Sequence, residues 1–182
     1  MSGVEVVIKV GGNLGREPEL ARRLTPIAGM RRQHGVLVVP GGGAFADLVR
    51  AESARHLLPE SVGHWMGVLA MEQYGHLLAG VLPDSALVSS PDEIAAALRD
   101  GRLPVLAPYR WLREEDPLPH SWAITSDSIA AWIAGRLGAR RLILVKRSEP
   151  EAAVDDHFDR VLPQGLAWEI AVPEGDGWRV LS

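Results

Sequence analysis

Two apolar runs near the start of the chain each dissolve into glycine: VEVVIKVGGN over residues 4–13 and VLVVPGGGAFAD over 36–47. Runs of Val and Ile without polar alternation read as strands buried on both faces, as in parallel sheets. Between them, residues 17–33 carry helical spacing, with Pro26 placed to kink or divide the helix. The glycines at 41–43 open into a second helix. Strand, helix, strand and helix in this order predict an α/β chain with a parallel sheet covered by helices. Both glycine turns then fall at the carboxyl edge of the sheet, where open α/β folds bind ligands.

Further along, SVGHWMGVLAMEQYGHLLAGVL (61–82) reads as a long helix, apolar nearly all round and therefore buried on more than one side. ALVSS (86–90) predicts a strand, and PDEIAAALRD a helix capped by Ser90 with Pro91 at its first position. LPVLAPY (103–109) predicts another strand, and the proline-rich residues 110–121 a loop. A helix over 125–139 and a strand over 140–146 follow. WEIAVP (168–173) and GWRVL (177–181) are expected to pair as a hairpin around PEGDG.

Composition removes several functions. The 182 residues hold no cysteine, which excludes disulfides, thiolate metal sites and cysteine nucleophiles. A net charge of −4 argues against a nucleic-acid or membrane-surface binder. No basic segment with an apolar continuation opens the chain, and no run reaches the roughly 18 apolar residues of a membrane span. A cytoplasmic protein is expected. His64 and His76, twelve apart on the long helix, are too distant to share a metal and read as interior or interface residues; no metal site is expected.

The basic residues are 17 Arg and only two Lys, Lys9 and Lys146, and both follow apolar runs. A cation at the end of a buried strand costs desolvation unless something negative meets it. Glycine turns let backbone amides approach an anion, and the helix after Gly43 adds its positive end. The expected partner of Lys9 is a phosphate. GGGAFA also fits the dinucleotide pattern G-x-G-x-x-A, but no strand ending in an acid follows at the required distance, and the P-loop pattern is absent. Asp127, in ITSDSIAAW, is either a simple helix-terminus charge or a site residue.

Taken together, Lys9 with Gly11-Gly12, then Pro40-Gly41-Gly42-Gly43, then Thr125-Ser126-Asp127 before an Ala-rich helix and the strand LILV, resemble the amino acid kinase superfamily. The likeness spans about residues 4–147. It implies one three-layer αβα sandwich with a mainly parallel open sheet over 1–182. Residues 1–120 would form the acceptor-binding and dimerisation half, and 121–182 a shortened nucleotide-binding half. It implies ATP, with Mg²⁺ carried on the nucleotide phosphates. The catalytic residues would be Lys9 and Asp127, and the role of a second lysine would fall to Lys146, to Arg147, or to neither. Gly11, Gly12, Asn13, Lys146 and Arg147 would hold nucleotide. Gly41, Gly42, Gly43, Asp47, Arg50, Thr125 and Ser126 would hold a small anionic acceptor, and helix 61–82 a homodimer.

Two departures stand out. The strand LILV continues into Lys146-Arg147-Ser148 where family members carry a Thr-Asp or Ser-Asp pair, and no lysine follows Lys146. A non-catalytic nucleotide- or metabolite-binding homologue is therefore the rival expectation. HWMGVLAMEQYG is similar to the small kinases that phosphorylate an aminomethylfuran-methyl phosphate in methanofuran-type cofactor synthesis. That acceptor's phosphate would suit Arg50 and its amine Asp47.

Overall fold

In the computed structural model, which describes residues 3–151 and 153–181, seven strands form one sheet in the order β3-β4-β2-β1-β5-β6-β7. The strands are β1 (Val6–Val10), β2 (Val36–Pro40), β3 (Ser85–Val88), β4 (Leu103–Leu106), β5 (Arg141–Val145), β6 (Ala167–Glu174) and β7 (Gly177–Leu181). All pairings are parallel except the β6–β7 hairpin. The expected αβα architecture with a mainly parallel open sheet is what forms. β1 is central, with β2 and β5 on its two sides, and every residue of β1 and β2 is buried. Chain order runs outward from β1 through β2 on one side and resumes at β5 on the other. The crevice between the carboxyl ends of β1 and β5 is therefore the switch point of the sheet.

Eight helices cover the sheet among the described residues: α1 (Leu20–Arg23), α2 (Thr25–Met30), α3 (Gly43–Arg55), α4 (Glu60–Val81), α5 (Pro91–Arg99), α6 (Tyr109–Glu115), α7 (Ser126–Leu137) and α8 (Phe158–Val161). Period-2 alternation divides the β1 side chains. Val7 packs with Leu37, Val39 and Leu144 under α5 to α8, while Val6, Ile8 and Val10 pack under α1 and α2. α4 reaches across the carboxyl edge and serves both cores, Val68 and Met71 in the first, Tyr74 and Leu78 in the second. Gly75 lets it come this close, since a Cβ there would lie 2.9 Å from the Leu106 carbonyl oxygen.

Local sequence signals explain most boundaries. The residue-17–33 stretch is divided as Pro26 allows, into α1 and α2, with Pro26 in the first turn of α2. Ser90 caps α5 by accepting from the Glu93 amide, and Glu93 accepts from the Ser89 amide, a reciprocal cap. The terminal hairpin forms as expected and is anchored where the Trp178 indole donates to the Arg23 carbonyl at 2.8 Å.

One expectation needs correction. Residues 110–121 are not all loop. α6 occupies 109–115, because its prolines lie after it, at 117 and 119, and Trp111 and Leu112 plug the core beneath α7. α4 is, as expected, buried on more than one side, while Val62, Leu69, Leu77 and His76 stand exposed along its outer side.

Candidate active site

The two lysines meet at the switch point. Lys9 is a residue of β1 and Lys146 directly follows β5, so the register that pairs Val10 with Val145 sets the lysines diagonally across the strand ends. α7 begins over this crevice, and Asp127 in its first turn points down between them. Lys9 Nζ lies 2.6 Å from Asp127 Oδ1, and Lys146 Nζ lies 2.5 Å from Asp127 Oδ2. Lys146 also donates to the Ala153 carbonyl at 3.0 Å. All three side chains are buried, at 4%, 8% and 3% exposure for Lys9, Lys146 and Asp127.

Burial alone would raise the Asp127 carboxyl, but the charges of Lys9 and then Lys146 outweigh it and hold the carboxyl below the usual aspartate range. Lys146 moves down from the ordinary lysine value, first by burial and then by the neighbouring Lys9 charge, against the pull of Asp127. Two ammonium groups around one carboxylate leave one uncompensated positive charge at the base of the cleft. Such a charge is costly in a dry interior and is relieved by an incoming anion.

Above this floor the glycine turns lie against each other. A Cβ on Gly12 would sit 1.9 Å from the Gly43 amide nitrogen, and one on Gly41 would sit 2.5 Å from the Gly12 nitrogen. Gly43 takes φ +56, which side-chain-bearing residues rarely adopt. The N-cap of α3 is Gly42, which offers no side chain to cap its first turn, and Gly42 and Gly43 line the cleft. Gly11 and Gly41 spend their own amides within the sheet edge, on Val145 and Val10 carbonyls at 2.8 Å each. Tyr74, its hydroxyl pushed up by burial, supports the first turn from below, 3.5 Å from the Gly11 carbonyl.

A cavity of about 240 Å³ opens over these groups. Lys9, Gly11, Gly12, Asn13, Lys146 and Arg147 line it towards β5. Gly42, Gly43, Asp47, Arg50, Thr125 and Ser126 line it towards α3 and α7. Of the residues singled out from the sequence, Gly41 and Asp127 lie beneath it and do not line it. Arg147 is exposed and pairs with Glu151 at 2.5 Å, and Asn13 donates to the same carboxylate at 3.3 Å. Asp47 is engaged by Arg16, with Arg50 more distant at 3.8 Å.

Other residues escaped the sequence reading. Asp155 ties down the start of α7, accepting from the Thr125 hydroxyl at 2.6 Å, the Ser128 hydroxyl at 2.5 Å, and the Thr125, Ser128 and His157 amides. It lies in an irregular stretch with no periodicity to mark it. His64 and Trp122 line the cavity opposite the lysines. His64 stacks on His120 at 4.9 Å, and burial, then the neighbouring His120, pushes it below the ordinary histidine value. The glycines at 63 and 67, which let α4 accept an aromatic neighbour, were the available signal.

An open, mainly parallel α/β sheet with a cation-floored, glycine-rimmed cleft at its switch point defines the class. The chain belongs to the amino acid kinase family, whose profile matches residues 5–149. It is 26% identical over 138 residues to the [5-(aminomethyl)furan-3-yl]methyl phosphate kinase of Methanocaldococcus jannaschii, a match covering 76% of this chain and 63% of that protein. The chain thus spans less than two thirds of that relative's length. Among solved structures, the UMP kinase of Ureaplasma parvum superposes with a TM-score of 0.69 at 16% identity, covering 97% of this chain and 93% of that one. The uridylate kinase of Archaeoglobus fulgidus gives 0.59 at 21% identity, covering 80% and 64%. These two establish likeness of fold.

Proposed function

We propose that this chain is an ATP-dependent kinase of a small anionic acceptor, a phosphomonoester or carboxylate. The single observation that carries the reading is the uncompensated charge of Lys9–Asp127–Lys146 beneath two apposed glycine turns. In this reading the nucleotide phosphates lie on Gly11, Gly12 and Asn13, with Lys146 and Arg147 beside them. The acceptor lies on Gly42, Gly43 and the start of α3, and Gly41 acts through the backbone it fixes. Asp47, Arg50, Thr125 and Ser126 face it.

An acceptor oxyanion attacks the γ-phosphorus in line, and the bond to the ADP oxygen breaks. Lys9 and Lys146 meet the charge that spreads over the transferring group. Asp127 holds both ammonium groups at fixed separation; with both of its oxygens taken, it has no role as a base. None is required, since a phosphomonoester or carboxylate is already ionised at neutral pH. Mg²⁺, held by the nucleotide phosphates, supplies further charge neutralisation there.

The relative from M. jannaschii favours [5-(aminomethyl)furan-3-yl]methyl phosphate as acceptor, and with it a role in methanofuran-type cofactor synthesis. Arg50 would meet its phosphate and Asp47 its amine. The exposed apolar side of α4, with Val62, Leu69 and Leu77, supports a homodimer through that helix. A cytoplasmic location agrees with such chemistry, and no described helix is long and apolar enough to cross a membrane.

The test is calorimetric titration with ATP–Mg²⁺ and with NADPH, followed by ADP release in the presence of the furan phosphate, UMP and a set of carboxylates. ATP binding with turnover of a phosphomonoester or carboxylate is expected. Binding of NADPH but not ATP overturns the reading. ATP bound without turnover of any acceptor replaces it with the non-catalytic homologue.

A further inference from the structure

Trp122 faces the cavity from the segment between α6 and α7, and the reaction as described leaves it without a task. Its indole runs along α4 where Gly63 and Gly67, one turn apart, present no side chains. A Cβ on Gly63 would fall 2.9 Å from the indole Nε1 and 3.0 and 3.1 Å from its neighbouring carbons; one on Gly67 would fall 3.5 Å from the far ring edge. Both glycines are inside a 22-residue helix, where alanine would be the more stable choice. The pair therefore trades helix stability for a slot that seats the indole. His120, two residues before Trp122, holds the same segment to α4 by stacking on His64, and is itself held by Asp116 at the end of α6 at 2.7 Å.

The Arg50 guanidinium lies over the Trp122 ring, 5.1 Å from its centroid. Its other charged neighbour, Asp47, is 3.8 Å away and is held more closely by Arg16. Half-exposed ion pairs of that length orient a side chain weakly, and the face of a seated indole gives the guanidinium a second, rigid surface to rest against. We propose that Trp122, seated against Gly63 and Gly67, is a positioning residue that sets the angle at which Arg50 meets the anionic group of the acceptor. This rests on the assignment of Arg50 as the acceptor's cation.

The test uses the full chain saturated with a non-hydrolysable ATP analogue, so that the donor seat is filled, and measures binding of inorganic phosphate by calorimetry. Removing the cation in Arg50→Ala is expected to weaken phosphate about 10- to 100-fold. Trp122→Ala is expected to weaken it about fivefold, and Gly63→Ala, which crowds the indole while favouring the helix, by a similar factor. Trp122→Phe retains a ring and should stay within about twofold of the parent. Affinity for the ATP analogue is unchanged in all four. In an Arg50→Ala background, Trp122→Ala adds nothing.

Failure of the parent protein to bind phosphate overturns this proposal, and Arg50→Ala at full affinity removes Arg50 from the acceptor site and the proposal with it. Loss in Arg50→Ala together with full affinity in both Trp122→Ala and Gly63→Ala leaves the acceptor assignment standing and overturns the role of Trp122. So does a Trp122→Ala loss that multiplies with that of Arg50→Ala.

Discussion

The floor of the cleft and the wall proposed for the acceptor are built by opposite means. On the floor, Lys9, Asp127 and Lys146 are buried, come from β1, α7 and the end of β5, and meet at 2.5–2.6 Å. Every part of that geometry follows from sheet register and one helix start. On the wall, Asp47 and Arg50 are half exposed on α3, and Arg50 is shared between a carboxylate and an indole. A buried, over-determined cluster suits a task that is the same for every substrate, the stabilisation of charge on a transferring phosphoryl group. A wall of long side chains held by weak contacts can be altered without disturbing the sheet, and it suits the choice of acceptor. On the proposed function, the difference separates rate from selectivity.

The sharpest way to break that division is Lys9→Ala. It leaves Asp127 and Lys146 as a neutral pair, so the fold should lose little, while the cleft loses its surplus charge. We expect turnover to fall about 100- to 1,000-fold with a nearly unchanged melting temperature. Parent-like turnover would remove the floor from the chemistry. Asp127→Asn should do the reverse in part. It strands two ammonium groups without a carboxylate, so about 3–5 kcal/mol of stability is at risk by denaturant unfolding. Turnover should drop about 10- to 100-fold with nucleotide affinity less affected. A variant as stable and active as the parent would show that Asp127 organises nothing.

Titration reports on the floor alone. Lys146 is pushed below its ordinary value near 10.5, so in the folded protein it sheds its proton earlier than in the unfolded chain. Turnover should therefore decline on an alkaline limb lying below pH 10.5, and Lys146→Arg should move that limb up. Between the folded-state value and 10.5 the unfolded chain binds the extra proton, so this group makes stability rise with pH there. Asp127 has the opposite window. Its folded value is depressed, so its contribution is complete above the ordinary value of 3.8 and is lost as pH falls through the folded value. A rate profile flat to pH 10.5 would count against a catalytic ammonium at position 146.

The floor was also the more legible region. Lys9 and Lys146 stood out because arginine fills the other 17 basic positions, and because both end Val/Ile runs whose pairing is dictated by a parallel sheet. Glycine turns read well for a similar reason: only glycine fits where backbone packs on backbone, as Gly12 does against Gly43. α6 was missed because its prolines follow the helix and its charges conceal Trp111 and Leu112. Asp155, Trp122 and His64 were illegible since their partners are 27 to 72 residues away, or one helix over, and nothing periodic points to them. Long-range side-chain contacts on irregular segments leave no local trace.

The smallest expected effect tests whether the wall reads the acceptor at all. Asp47 is engaged by Arg16 and lies near Arg50, so it serves either as a tether for arginine or as the partner of an acceptor amine. The two roles differ in one comparison, the KM for [5-(aminomethyl)furan-3-yl]methyl phosphate against that for furan-3-ylmethyl phosphate, which lacks the amine. In Asp47→Asn, loss of a half-exposed charge pair is worth at most about fivefold in KM. An amine partner confines that loss to the first compound. A tether alone weakens both compounds equally by loosening Arg50, and turnover at saturation stays at the parent value in either case because the floor is intact. A fall in saturated turnover would instead couple wall to floor, and the separation of selectivity from rate would not survive it.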